Sequence, residues 1–195
     1  VEKGLIGIVV ANGSHPGGQV APLGASESRM GTNPIAFGIP SDSSGSLIAD
    51  FATSAVAEGK LRLAHMKGNE IPIGWVIDQQ GRSTNNPGDF YDGGSLLTFG
   101  EHKGFAISLL VDVLGGILSG VNTPAFPEYE RLQNGVFMLA IDPIFFRSPA
   151  EFNLAAGVLF DSVRAARPAE GSSGPLIPGD PERSCRAQRE RTGIP

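Results

Sequence analysis

The run "GFAISLLVDVLGGILSG", Gly104 to Gly120, constrains this chain more than any other stretch. Its apolar density demands burial, yet it is too short, and with Ser108 and Asp112 too polar, to cross a bilayer. It reads as a buried helix starting at Gly104, and such a helix needs a core around it. Three polar residues stand at its mouth, Glu101-His102-Lys103, between Gly100 and Gly104. A lysine at a helix N-terminus is disfavoured by the helix dipole unless an anion offsets it. Two readings are open: a solvated charged turn, or a site where the lysine and the helix end hold an anionic ligand.

The chain of 195 residues is long enough for one ordinary domain with a real core. Its 41% hydrophobic and 18% charged residues are those of a globular protein. A net charge of −5 argues against a general nucleic-acid binder, whose affinity comes from neutralising phosphates. The lone Cys185 excludes an internal disulfide and a cysteine-based zinc site. His15, His65 and His102 lack metal-ligand spacing, so no metal is expected. A cytoplasmic protein without membrane or nucleic-acid partners is the expectation.

Along the chain, strands are expected over residues 4–13, 31–41, 47–51, 75–77 and 136–142. Helices are expected from Thr53, which can cap its own, from Gly104, and after Ser148-Pro149, where Glu151 completes a capping box. "SDSSGS" reads as a turn, and "NTPAFPEYERLQNG" as a long surface connection. Intermixed strands and helices predict α/β layers. Val1-Glu2-Lys3-Gly4 reads as the last turn of a helix stopped by glycine, and the chain halts in "TGIP", so both ends are expected to be cut.

The common nucleotide fingerprints are absent: no G-x-G-x-x-G follows the first strand, and no G-x-x-x-x-G-K-[ST] occurs. "DFATS", residues 50–54, puts an acid at a strand end beside a helix start, a usual place to grip a ligand hydroxyl. Taken alone, the stretch reads first as an ordinary N-cap. Alone, Lys60 reads as a surface lysine, and Thr32-Asn33 in "GTNP" as a turn.

Together, "GTNPIAFGIP", "DFATSAVAEGK", "IPIGWVID", "FYDGGSLLTFGEHKGFAISLLVDVLGGILSG" and "IPGDPE", in this order, resemble the malate/L-lactate dehydrogenase type 2 family across nearly the whole chain. The resemblance implies an α/β fold with a mixed sheet flanked by helices, non-Rossmann and malate/L-lactate (sulfolactate) dehydrogenase-like, here incomplete at both ends. It implies one truncated NAD(P)-binding and catalytic domain over 1–195, with 166–195 a Pro/Gly-rich, charged segment lacking the closing helix.

The implied activity is hydride transfer between NAD or NADP and a 2-hydroxy or 2-oxo acid such as malate or lactate, in a homodimer. By position, Asp50, Phe51, Ala52, His102, Lys103, Gly179, Asp180 and Pro181 match cofactor-contacting residues, with Asp180 replacing the usual glutamate. Thr32 matches a substrate-contacting threonine. Lys60 is the catalytic candidate, standing where imine-reducing members place an acid, and it points to the hydroxy-acid branch. The family's proton-donating histidine, in a Ser-His-Gly-type motif, has no match, because Ser14-His15 is followed by Pro16. Two alternatives follow: a catalytically inactive nucleotide-binding fragment, or a cyclic ketimine carboxylate reductase of the same family.

Overall fold

The computed structural model describes residues 1–42, 45–129 and 133–194. Residues 43–44 of the expected turn and 130–132 of the expected connection lie outside the described residues. Strands β1 (Ile6–Ser14), β2 (Ile35–Ile39), β3 (Leu47–Phe51) and β7 (Gln133–Ile141) form a four-stranded sheet in the order β3-β2-β1-β7. Three two-residue strands, β4 (Val76–Ile77), β5 (Ser83–Thr84) and β6 (Ser95–Leu96), form an antiparallel sheet in the order β5-β4-β6. The helices are α1 (Glu58–Lys67), α2 (Gly88–Tyr91), α3 (His102–Val111), α4 (Pro149–Arg164) and α5 (Asp180–Thr192). Among the described residues no helix is long and apolar enough to cross a membrane.

The chain divides into two compact units: unit 1 is Val1–Ile8, Ala36–Asp50 and Met138–Pro195, and unit 2 is Val9–Ile35 and Phe51–Phe137. Unit 2 is built around Val20, Met30, Val56, Leu61, Ile71, Val76 and Leu96, all buried, with Trp75, Phe90 and Phe105 packed against them. Burying side chains of this size stabilises by about 1.5–3 kcal/mol each. Phe105 ties α3 to this core. Beyond Val111 the helix widens into a π-helical stretch, Asp112–Ile117. There Gly115 lies so close to its neighbours that an added Cβ would meet the Asn12 amide nitrogen at 2.8 Å.

The π-helical stretch surrounds a buried polar cluster. Asn12 Nδ2 donates to the Asn122 carbonyl at 2.9 Å and to Asp112 Oδ1 at 3.4 Å, and Asn12 Oδ1 accepts from the Gly135 amide. Burial pushes the Asp112 carboxyl up, and hydrogen bonds from Asn33 and Asn12 pull the other way.

In unit 1, Ser148 caps α4 as expected: its Oγ accepts from the Glu151 amide, and Pro149 occupies the first turn. Three expectations need correction. First, no helix begins at Thr53. The Thr53 amide and hydroxyl both donate to the Thr32 carbonyl, at 2.9 and 3.0 Å, and α1 starts only at Glu58. A long-range partner outcompeted the local cap. Second, α3 begins at His102, ahead of Gly104. Third, the charged C-terminal segment carries a helix, α5. Pro181 and the acids Asp180 and Glu182 favour its start, and Arg189 and Arg191 complement the dipole at its end.

Candidate functional site

Unit 2 brings several of the expected residues together through its backbone. The Thr53 amide bonds to the Thr32 carbonyl, the Phe99 amide to the Thr53 carbonyl, and the Gly104 amide to the Phe99 carbonyl. This chain of bonds joins Thr32, the Phe51-Ala52 strand end and the Glu101-His102-Lys103 turn. Phe51 and Phe99 meet edge to face, with ring centroids 5.8 Å apart. Thr32 is half-buried with its carbonyl engaged, while His102 and Lys103 are exposed at the first turn of α3.

That turn is tight and strained. Gly100 has φ 54° and Glu101 φ 53°, a region costly for a residue with a Cβ. Thr98 Oγ1 secures it by donating to the Glu101 carbonyl at 2.9 Å. The Lys103 and Gly104 amides donate to Gly100 and Phe99, so these two helix-end donors are spent inside the turn. The exposed side chains of His102 and Lys103 add ligand-facing capacity at this turn. Residues 97–101, with Ala21, Leu23 and Ala55, line a cavity of about 450 Å³.

Lys60 lies exposed on α1 and takes part in none of those backbone bonds. Among the described residues, Lys60, Lys103 and Asp50 form no ion pair. Among the described residues, too, no cluster of His, Cys, Asp or Glu is suited to a metal ion.

Unit 1 holds the other expected residues. Asp50 is exposed near the end of β3. Two residues earlier, the Ile48 amide donates to the Pro178 carbonyl at 3.0 Å, docking the Gly179-Asp180-Pro181 turn on that strand. Asp180 itself is fully engaged. Arg164 Nε and Nη2 donate to its two oxygens, each at 2.9 Å, Arg183 Nη2 donates to Oδ1, and the Ile177 amide donates to Oδ2 at 3.0 Å. The Arg164 guanidinium holds this carboxyl well below the usual carboxylate range.

Sequence reasoning missed Arg164, Arg183 and the strained Glu101. Arg164 stands 16 residues from Asp180, and nothing in the local pattern pairs them. Asn33 was read only as part of a turn. It is buried at φ 41°, its Nδ2 donates to Ser108, and its Oδ1 has no hydrogen-bond partner among the described residues.

A family model described as malate/L-lactate dehydrogenase matches residues 1–195. The chain belongs to this family. It is 38% identical over 200 residues to the L-sulfolactate dehydrogenase of Methanothermobacter thermautotrophicus, covering 100% of this chain and 55% of that protein. It is 38% identical over 185 residues to hydroxycarboxylate dehydrogenase B of Escherichia coli, covering 90% and 50%. Among solved structures, the delta1-piperideine-2-carboxylate reductase of Pseudomonas syringae superposes with a TM-score of 0.83 at 32% identity, covering 100% of this chain and 57% of that one. The chain thus spans about half the length of the curated relatives it matches. The malate/L-lactate dehydrogenase-like α/β fold expected from the sequence is the fold of this family, whose relatives include both hydroxy-acid dehydrogenases and cyclic-imine reductases.

Proposed function

We propose that the protein is a nicotinamide-dependent oxidoreductase that interconverts a 2-hydroxy acid and its 2-oxo acid. The observation that carries this reading is the α3 start: a strained turn, secured from within, that presents Lys103 with no ion-pair partner among the described residues. An unpaired cation at a helix N-terminus suits a phosphate-bearing ligand.

The residues present fit a dinucleotide. Within unit 2, Lys103 and His102 would meet phosphate and Phe51 with Ala52 would offer an apolar edge; in unit 1, Asp50 would accept from ribose hydroxyls. When bound, NAD or NADP supplies or accepts the hydride. Thr32 would orient the substrate beside it. A histidine outside these 195 residues would hold the proton exchanged with the substrate oxygen, a task suited to a group titrating near neutrality. A homodimer in the cytoplasm, acting on a small molecule, completes the proposal.

The second reading is reduction of a cyclic imine carboxylate, favoured by the likeness to the piperideine-carboxylate reductase. Both substrate classes carry a carboxylate, so the difference lies at the reacting carbon: a lysine at position 60, were it to reach that carbon, would disfavour a protonated imine and favour the oxo acid. Turnover of the full-length protein with NADH and NADPH, against oxaloacetate, pyruvate and Δ1-pyrroline-2-carboxylate, separates the two. Faster reduction of the oxo acids supports the first reading. Faster reduction of the imine replaces it with the second. No turnover of any, with cofactor still bound, leaves a nucleotide binder.

A further inference from the structure

Asp180 looks from its sequence like an acid awaiting a ligand, yet its side chain is only 13% exposed and four donors already occupy its oxygens. The arrangement reaches further than one pair. Arg183 also donates through Nη1 to the Ser46 carbonyl at 2.6 Å, just before β3. Gly179, buried at φ 100°, leaves the space into which that guanidinium packs: an added Cβ would lie 2.8 Å from Arg183 Nη1 and 3.3 Å from the Ile48 amide nitrogen. One carboxylate therefore joins the last turn of α4, the first turn of α5 and, through Arg183, the entry of β3. Asp50 lies on that same strand.

Two of the amides at this helix start are engaged as well. Asp180 donates to the Ile177 carbonyl, Arg183 to the Gly179 carbonyl, and Pro181 has no N–H. The turn thus has shape to offer a ligand, and little free polar capacity at Asp180.

We propose that Arg164 and Arg183 are positioning residues, which hold the Gly179–Pro181 turn against β3 in the shape the cofactor needs, and that Asp180 acts through them and not as a cofactor ligand. This rests on the reading that Asp50 and the turn belong to a nicotinamide-cofactor site. Bidentate arginine–carboxylate pairing fixes geometry as well as charge, which suits such a role.

The test is NADH affinity by fluorescence titration, in the full-length protein, for wild type, Arg164→Ala, Asp180→Ala, the double variant and Arg164→Lys. Each titration is run well below the variant's own melting temperature. The expected result is a loss of affinity of about tenfold in each single variant, no further loss in the double, and partial recovery with Arg164→Lys, as for residues acting as one unit. If Arg164→Ala is too unstable to titrate, Arg164→Lys and Asp180→Asn carry the same comparison. Strong loss in the Asp180 variants alone, with the Arg164 variants binding normally, would make Asp180 a direct ligand and overturn the proposal. Unchanged affinity throughout overturns it too. A wild-type protein that binds no NADH or NADPH removes the cofactor reading itself, and this inference with it.

Discussion

Helices α3 and α5 both begin with a glycine followed by charged residues, and their first turns are built in opposite ways. At α3 the strain lies in the backbone, with Gly100 and Glu101 both at positive φ, and the side chains of His102 and Lys103 stay exposed. At α5 the left-handed position falls on a glycine, which bears it without cost, and the acid that follows is consumed by two arginines. The difference teaches that a charge beside a glycine says little about ligand binding until its internal partners are known. Capacity for a ligand remains where strain is retained and the charges are unspent.

The largest expected effect sharpens the contrast at the glycines. A Cβ on Gly104 would lie 2.2 Å from the Phe99 carbonyl oxygen, which is backbone and already accepts the Gly104 amide. Gly104→Ala should therefore destabilise by about 3 kcal/mol in denaturant melts. A Cβ on Gly179 meets first the flexible end of Arg183, so Gly179→Ala should cost less, about 1–2 kcal/mol for its positive φ. The reverse order would break the comparison.

Acid titration reads the α5 start by charge. The folded-state pKa of Asp180 is depressed, so its ion pairs contribute their full stability above the unfolded carboxylate pKa of about 3.9, and that contribution is lost progressively as pH falls from there through the lower folded-state pKa. Wild type should exceed Asp180→Asn by about 2 kcal/mol at neutral pH, with the gap narrowing as the solution is acidified. A gap that does not depend on pH would show that charge is not what holds the turn.

A smaller effect, of opposite sign, belongs to the α3 start. Glu101→Gly should stabilise by about 1 kcal/mol, because glycine relieves the positive-φ strain at some entropic cost. Destabilisation would mean that the turn is relaxed and that the contrast between the helices is false.

Much of this fold was legible because it rests on short-range rules. The Ile6–Ser14 strand and the Ser148-Pro149-Glu151 helix start stand where a β-branched run and capping chemistry put them. The Thr53 misreading has its cause in a partner distant in sequence. Thr53 could cap a helix, but its hydroxyl went to Thr32, 21 residues away. The acid of "IPGDPE" matched a cofactor loop, while its arginine partner at 164 left no local trace. Of the candidate site, the polar triplet at 101–103 could be read from the dipole argument, whereas the strain in Glu101 required coordinates.

The most direct test of the account is NADH titration of the full-length protein and its Lys103→Ala variant, each checked for stability. Lys103 has no ion pair among the described residues, so its removal should shift stability by less than about 0.5 kcal/mol. Saturable binding by wild type, weakened about tenfold by the loss of one charge-assisted contact in Lys103→Ala, is the predicted result. Equal affinity in the two proteins, or no binding at millimolar cofactor by folded wild type, would contradict it.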